Sequence, residues 1–183
     1  EILRSLTGFN MHRGVLAAMH RKPLPSVAEV LAGAKNVAVL EHIVDPTNLG
    51  AVYRSAAALG IDAVLISDTC VDPLYRRAVR VSMGAVFTVP YARVEPWPSG
   101  LEAVRAAGFE ILAMTPAEGS VPLKEAIADE SKRYAVMFGT EGTGLTDQAM
   151  ERAHGKVMIP MSNGVDSLNI AASAAVTFYA LNS

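Results

Sequence analysis

Gly139-Thr140-Glu141-Gly142-Thr143-Gly144-Leu145 stands ahead of Ile159-Pro160-Met161 and of Asn163-Gly164-Val165-Asp166-Ser167-Leu168-Asn169. Each piece follows a short apolar run, over 134–138 and 156–159, so two loops are expected side by side at the ends of buried strands. Open α/β sheets bind ligands at such places. Outward from there, short apolar runs at 37–40, 63–66, 86–89, 109–114, 134–138 and 157–159 alternate with stretches of helical period. That alternation predicts an α/β fold with a mostly parallel sheet and helices on both faces.

Helix ends can be read from capping chemistry. Asn48 reads as an N-cap before a helix over 50–59 that Gly60 stops. Thr146 reads as the cap of a helix over 147–153, with Asp147 favourable in its first turn and Gly155 beyond its end. A last helix over 167–181 carries Ala171, Ala172, Ser173, Ala174 and Ala175, small side chains that let another backbone approach. Residues 8–33 have the glycines and prolines of a linker.

With 183 residues and 51% hydrophobic content, the chain is expected to build one main domain. Its 16 basic and 18 acidic residues give a net charge of −2, so bulk charge does not announce a nucleic-acid binder. The distribution is uneven. Residues 1–36 hold five basic residues (Arg4, Arg13, Arg21, Lys22, Lys35) against Glu1 and Glu29, a local +3 that leaves −5 for the rest. Cys70 is the single cysteine, which fits a reducing compartment and a buried thiol. Nothing reads as a signal peptide or membrane span, which points to the cytoplasm. His12, His20, His42, His154 and Cys70 show no zinc spacing, so no metal is expected. The chain begins at Glu1 and not at Met, from which a longer natural protein is expected.

The glycine loop can be tested against phosphate-binding fingerprints. Gly139 and Gly144 have P-loop spacing, but Leu145 stands where that motif needs lysine. The dinucleotide pattern fails as well, because Gly142-Thr143-Gly144 lacks a third glycine and comes late in the chain. What remains is a loop that can bring bare backbone against a flat ligand, with the Glu141 carboxylate in its middle.

Taken together, three elements carry a more specific signal: Asn48, Gly50 and Arg54 in an Asn-x-Gly-x-x-x-Arg pattern, Phe138 through Leu145, and Ile159-Pro160-Met161 with Ser167-Leu168-Asn169. This combination, from about residue 37 to 181, resembles the SpoU (TrmH-like) family of the SPOUT superfamily, RNA ribose 2'-O-methyltransferases that use S-adenosylmethionine. Asp166 departs mildly from the family pattern, at a position more often small. The resemblance implies a deep C-terminal trefoil knot, which general folding rules would not suggest. It also implies a homodimer, for which the small-residue face of the last helix is one candidate interface and ordinary core packing the other reading.

By resemblance, Gly139, Ile159, Met161 and Leu168 bind the cofactor. Thr115 either closes that pocket or is a strand-terminal hydroxyl. The same resemblance implies that Arg54 stands beside the ribose hydroxyl, where a guanidinium can grip phosphate or stabilise a developing alkoxide; the alternative is pairing with a surface carboxylate. A base role is unfavourable for a group with a pKa above about 12. Glu141 would orient Arg54 or another donor, and Asn48, Ser167 and Asn169 would supply neutral hydrogen bonds. Asn48 and Ser167 also read as helix caps. Arg76, Arg77 and Arg80 are the best RNA-binding cluster, or else a solvated helix paired with residues such as Asp72. His12, Arg13, His20, Arg21 and Lys22 are further candidates. Residues 1–36 read as the tail and linker of an N-terminal RNA-binding domain, and 37–183 as the catalytic domain. The expected activity is methylation of a ribose 2'-hydroxyl in structured rRNA or tRNA. A non-catalytic RNA-binding or assembly protein of the same fold is the alternative.

Overall fold

The computed structural model describes residues 19–183. The candidate RNA contacts His12 and Arg13, and Arg4 of the basic front, lie outside the described residues. The elements run, in chain order, α1 (Val27–Leu31), β1 (Asn36–Leu40), α2 (Pro46–Ala58), β2 (Ala63–Ser67), α3 (Arg76–Val81), β3 (Tyr91–Val94), α4 (Leu101–Ala106) and β4 (Phe109–Met114). There follow β5 (Val121–Pro122), α5 (Leu123–Ala126), β6 (Arg133–Phe138), α6 (Asp147–Met150), β7 (Gly155–Met158) and α7 (Ile170–Leu181).

Among the described residues the strands form one seven-stranded sheet in the order β3-β2-β1-β6-β4-β7-β5, every pairing parallel. Side chains alternate across a strand, so a strand buried on both faces feeds two cores. In β1, Ala38 and Leu40 join α2 and α7 through Leu49, Val52, Tyr53, Ala174 and Phe178. Val37 and Val39 turn the other way, toward Val30, Leu31, Leu101 and Val104 of α1 and α4.

The return of the chain is what builds the site. β6 enters between β1 and β4, β7 lies on the far side of β4, and α7 then packs on α2. At the end of α7, Asn36 Nδ2 at the start of β1 donates to Leu181 O and Asn182 Oδ1 at 3.3 and 3.2 Å. Gly50 makes the α2–α3 contact possible. A Cβ there would sit 2.7 Å from Ala78 O and 2.9 Å from Val81 Cβ.

Several sequence expectations are corrected. Residues 85–87 form a 3₁₀ turn, not the expected strand over 86–89; Thr88 folds back to donate to Ala85 O, and the strand is Tyr91–Val94. That strand was hidden by Arg93, which breaks the apolar run while donating to the carbonyls of Ser67 and Asp68. Asn48 is not a cap, because Asp45 caps α2 through Thr47 N–H and Pro46 follows at the first helical position. Ser167 is not a cap either, since Asn169 accepts from Ala171 N–H to open α7. Thr146 does cap α6, which stops at Met150.

The stretch read as linker contains α1, opened by a reciprocal Ser26–Glu29 capping box. Arg133 fixes its far end, donating to Leu31, Ala34 and Ala107 carbonyls while lying 4.0 Å over the Phe109 ring. Cys70 is buried, and burial pushes its thiol above the ordinary range.

Candidate active site

β6, β4 and β7 are neighbours, and their C-terminal ends open together into a cleft of about 510 Å³. Thr115 follows β4, Gly139 and Glu141 follow β6, Ile159 and Met161 follow β7, and Ser167, Leu168 and Asn169 lead into α7; all of them line the cleft, with Asp166. Thr115 also serves its own turn, its hydroxyl accepting from Ala117 N–H at 3.3 Å.

The glycine loop is closed by backbone. Thr140 and Gly144 form an antiparallel bridge, with Gly144 N–H donating to Thr140 O at 3.0 Å. A Cβ on Gly139 would lie 2.1 Å from Gly144 C and 2.3 Å from Leu145 N, so no other residue fits there without moving main chain. Leu145 drops into the core on the α1 and α4 side and anchors the exit.

Glu141, Asn48 and Asn169 form one network. The Ala171 N–H requires an acceptor, so the Asn169 side chain turns its Oδ1 there at 2.8 Å, and its Nδ2 is left to face two oxygens. Nδ2 donates to Asn48 Oδ1 at 3.1 Å and to Glu141 Oε1. Asn48 is thus drawn to the cleft from α2, and the donor on Glu141 is Asn169, not Arg54. Arg54 is exposed on α2 and is not among the residues lining the cleft.

Arg76, Arg77 and Arg80 are all exposed on α3. Asp72, considered as their partner, pairs with Arg21. Arg77 is near the start of α2, where it adds to the Thr47 hydrogen bonds that hold the Asp45 carboxyl below its usual range.

Two contributors were not anticipated. Ser173 lines the cleft from α7, one turn beyond Asn169. Glu41, only 2% exposed just past β1, accepts from Trp97 Nε1 at 2.6 Å, from Thr146 Oγ1 at 2.7 Å and from Thr146 N–H at 2.8 Å. Among the described residues no cluster of three or more His, Cys, Asp or Glu could hold a metal ion, and no helix is long and apolar enough to cross a membrane.

Residues 35–179 match the model of the SpoU rRNA Methylase family, a span that takes in all three motifs and the whole cleft. The chain belongs to this family. It is 52% identical over 98% of its length to an uncharacterized tRNA/rRNA methyltransferase of Mycobacterium bovis. It spans 62% of the length of that relative. It is 31% identical to the 23S rRNA (guanosine(2553)-2'-O)-methyltransferase RlmP of Bacillus subtilis, covering 84% of this chain and 60% of that one. The AdoMet-bound rRNA methyltransferase of Sinorhizobium meliloti superposes with a TM-score of 0.77 at 27% identity, over 87% of this chain and 60% of that one. The SpoU methyltransferase AviRb of Streptomyces viridochromogenes, in complex with AdoMet, gives 0.75 at 26% identity, over 87% and 64%. The seven-stranded parallel sheet described above is therefore the SPOUT methyltransferase sheet.

Proposed function

We propose that this SpoU chain is the catalytic part of an S-adenosylmethionine-dependent methyltransferase acting on a ribose 2'-hydroxyl in rRNA or tRNA. The carrying observation is the cleft at the ends of β4, β6 and β7, in which a closed glycine loop faces Leu168 and the Asn48–Asn169–Glu141 network. About 510 Å³ suits a nucleoside-sized ligand. Ile159, Met161 and Leu168 supply apolar walls for an adenine, and the loop supplies peptide groups for its edge.

When bound, S-adenosylmethionine supplies an electrophilic methyl group on a sulfonium. The chain's own part is position. Gly139 and the loop fix the pocket wall, Glu141 is aimed by Asn169, and Ser167 adds a hydroxyl at the rim. Arg54 holds the RNA phosphate or the developing alkoxide electrostatically. Arg76, Arg77 and Arg80 hold RNA backbone, which positions the substrate without reading its sequence.

The same reading includes a homodimer. Two features support it: Arg54 is exposed and does not line its own cleft, and α7 turns Ala172, Val176 and Tyr179 outward as one exposed ridge. Joining two copies over that ridge lets Arg54 of one serve the cleft of the other. The C-terminal return through β6, β7 and α7 is read as the trefoil knot of this family, residues 1–36 as the link to an RNA-binding part, and the cytoplasm as the site of action.

Methyl transfer from labelled S-adenosylmethionine to total rRNA and tRNA tests the activity, and Arg54→Ala is expected to abolish it while cofactor binding persists. Coexpressed Arg54→Ala and Asn169→Asp chains are expected to recover more activity than either has alone. Cofactor binding by the intact protein without transfer to either RNA would favour the non-catalytic alternative.

A further inference from the structure

Glu41 touches both ends of the glycine loop. Its backbone N–H donates to Phe138 O at 2.9 Å, where the loop leaves β6. Its carboxylate takes the backbone N–H and the hydroxyl of Thr146, where the loop passes into α6. The third donor, Trp97 Nε1–H, arrives from the segment between β3 and α4 and holds the carboxylate in place. Among the described residues no basic side chain pairs with Glu41, and a buried carboxylate is then tolerated only where hydrogen bonds replace its water, as three donors do here. Nothing in the motifs assigns Glu41 a part, and it does not line the cleft.

We propose that Glu41 is the positioning residue of the cleft, a staple that sets the loop 139–145 before any ligand arrives. The inference that this matters for cofactor binding rests on the S-adenosylmethionine reading above. Loop closure then has two independent holds, since Asn169 holds Glu141 at the middle of the loop and Glu41 holds its two ends.

Glu41→Gln is nearly isosteric yet cannot satisfy the same donors. If its NH₂ takes the Oε2 place it meets Thr146 N–H, and if it takes the Oε1 place it meets Trp97 Nε1–H. Either orientation sets donor against donor. Trp97→Phe removes one of those donors, so in the double variant the NH₂ can face the Thr146 hydroxyl, which can accept. The staple therefore predicts rescue, which loss of general stability does not.

The test is amide hydrogen exchange across 139–146 with calorimetric titration of S-adenosylmethionine, on the full chain. Glu41→Gln is expected to speed exchange across 139–146 and weaken cofactor binding by about tenfold each, a change of the size one unsatisfied buried donor produces. Exchange in the middle of α7 is expected to stay as in the wild type. Glu41→Gln with Trp97→Phe is expected to recover most of both. Should Glu41→Gln fold poorly, Thr146→Val, which deletes the hydroxyl at constant volume, is expected to loosen the same segment while Thr146→Ser does not. Wild-type exchange and affinity in Glu41→Gln, or no recovery in the double variant, overturn the proposal. Failure of the wild type to bind S-adenosylmethionine sinks the functional reading instead, and hydrogen exchange still decides on the staple.

Discussion

Asn169 donates its side-chain amide to the Glu141 carboxylate across 28 residues of chain, while its oxygen caps α7. One side chain therefore ties the start of the last helix to the middle of the glycine loop. Asn169→Asp separates the two duties, because aspartate is as good an N-cap as asparagine but offers Glu141 a second carboxylate. Thermal stability is expected to change by less than about 1 kcal/mol, the scale of a retained cap. Methyl transfer is expected to drop by at least about tenfold, since like charges at this distance disfavour each other. Melting and single-turnover rates measured on one preparation check both halves; a fall in stability with unchanged rate would falsify the division of roles.

Gly139 and Gly50 resist substitution for a shared reason, close backbone approach, at different places. Gly139→Ala drives a methyl against Gly144 and Leu145 main chain, which has no rotamer to change. Gly50→Ala meets Ala78 O and the Val81 side chain, and helices α2 and α3 can separate slightly. Overpacking costs about 1–3 kcal/mol, and Gly50→Ala is expected inside that range. Gly139→Ala is expected at or above its upper end, with loss of cofactor binding. Urea midpoints at constant m-value measure the first, and ligand titration the second.

The sheet was readable from apolar runs because its central strands are buried on both faces and carry no alternation to misread. The cleft was readable for a related reason: Gly139 follows one such run and Ile159 ends another, and a parallel sheet brings the loops that leave them to one edge. Tyr91–Val94 was not readable, since Arg93 interrupts an edge strand and the neighbouring residues 86–89 look more strand-like than they are. Helix starts were misassigned where two capping residues compete. Asp45 outranks Asn48 because Pro46 has no N–H and so needs no acceptor in the first turn, and Asn169 displaces Ser167. Glu41 carries no local signal at all, as its donors come from 56 and 105 residues away.

Cys70 gives a pH prediction. Burial is the main reason its thiol is held above the ordinary range, so the folded chain keeps the proton where the unfolded chain releases it. The sign follows: the contribution is intact below the unfolded thiol's titration and is lost as pH rises from there through the folded value. Stability is expected to decline in mildly alkaline buffer, and Cys70→Ser to lessen the decline. A thiol reagent is expected to react slowly with the native protein near neutral pH and rapidly after unfolding.

Arg133 is the last test, of how α1 is held to the sheet. Its guanidinium satisfies three carbonyls, those of Leu31, Ala34 and Ala107, from one planar group that also stacks on Phe109. Lysine can reach one of these oxygens at a time and cannot stack as a plane, so Arg133→Lys leaves two carbonyls without this donor. Arg133→Met keeps the apolar stem and removes every donor. Hydrogen bonds from charged groups contribute about 1.5–3 kcal/mol in favourable cases, so Met is expected to cost more than Lys, with both inside a few kcal/mol. The loss should fall locally, because Leu31 O ends α1 and Ala34 O begins the turn into β1. Limited proteolysis is expected to cut residues 19–35 faster in both variants, with Met faster than Lys. Equal protection in the two variants and the wild type would show that Val30 and Leu31 hold α1 by burial alone.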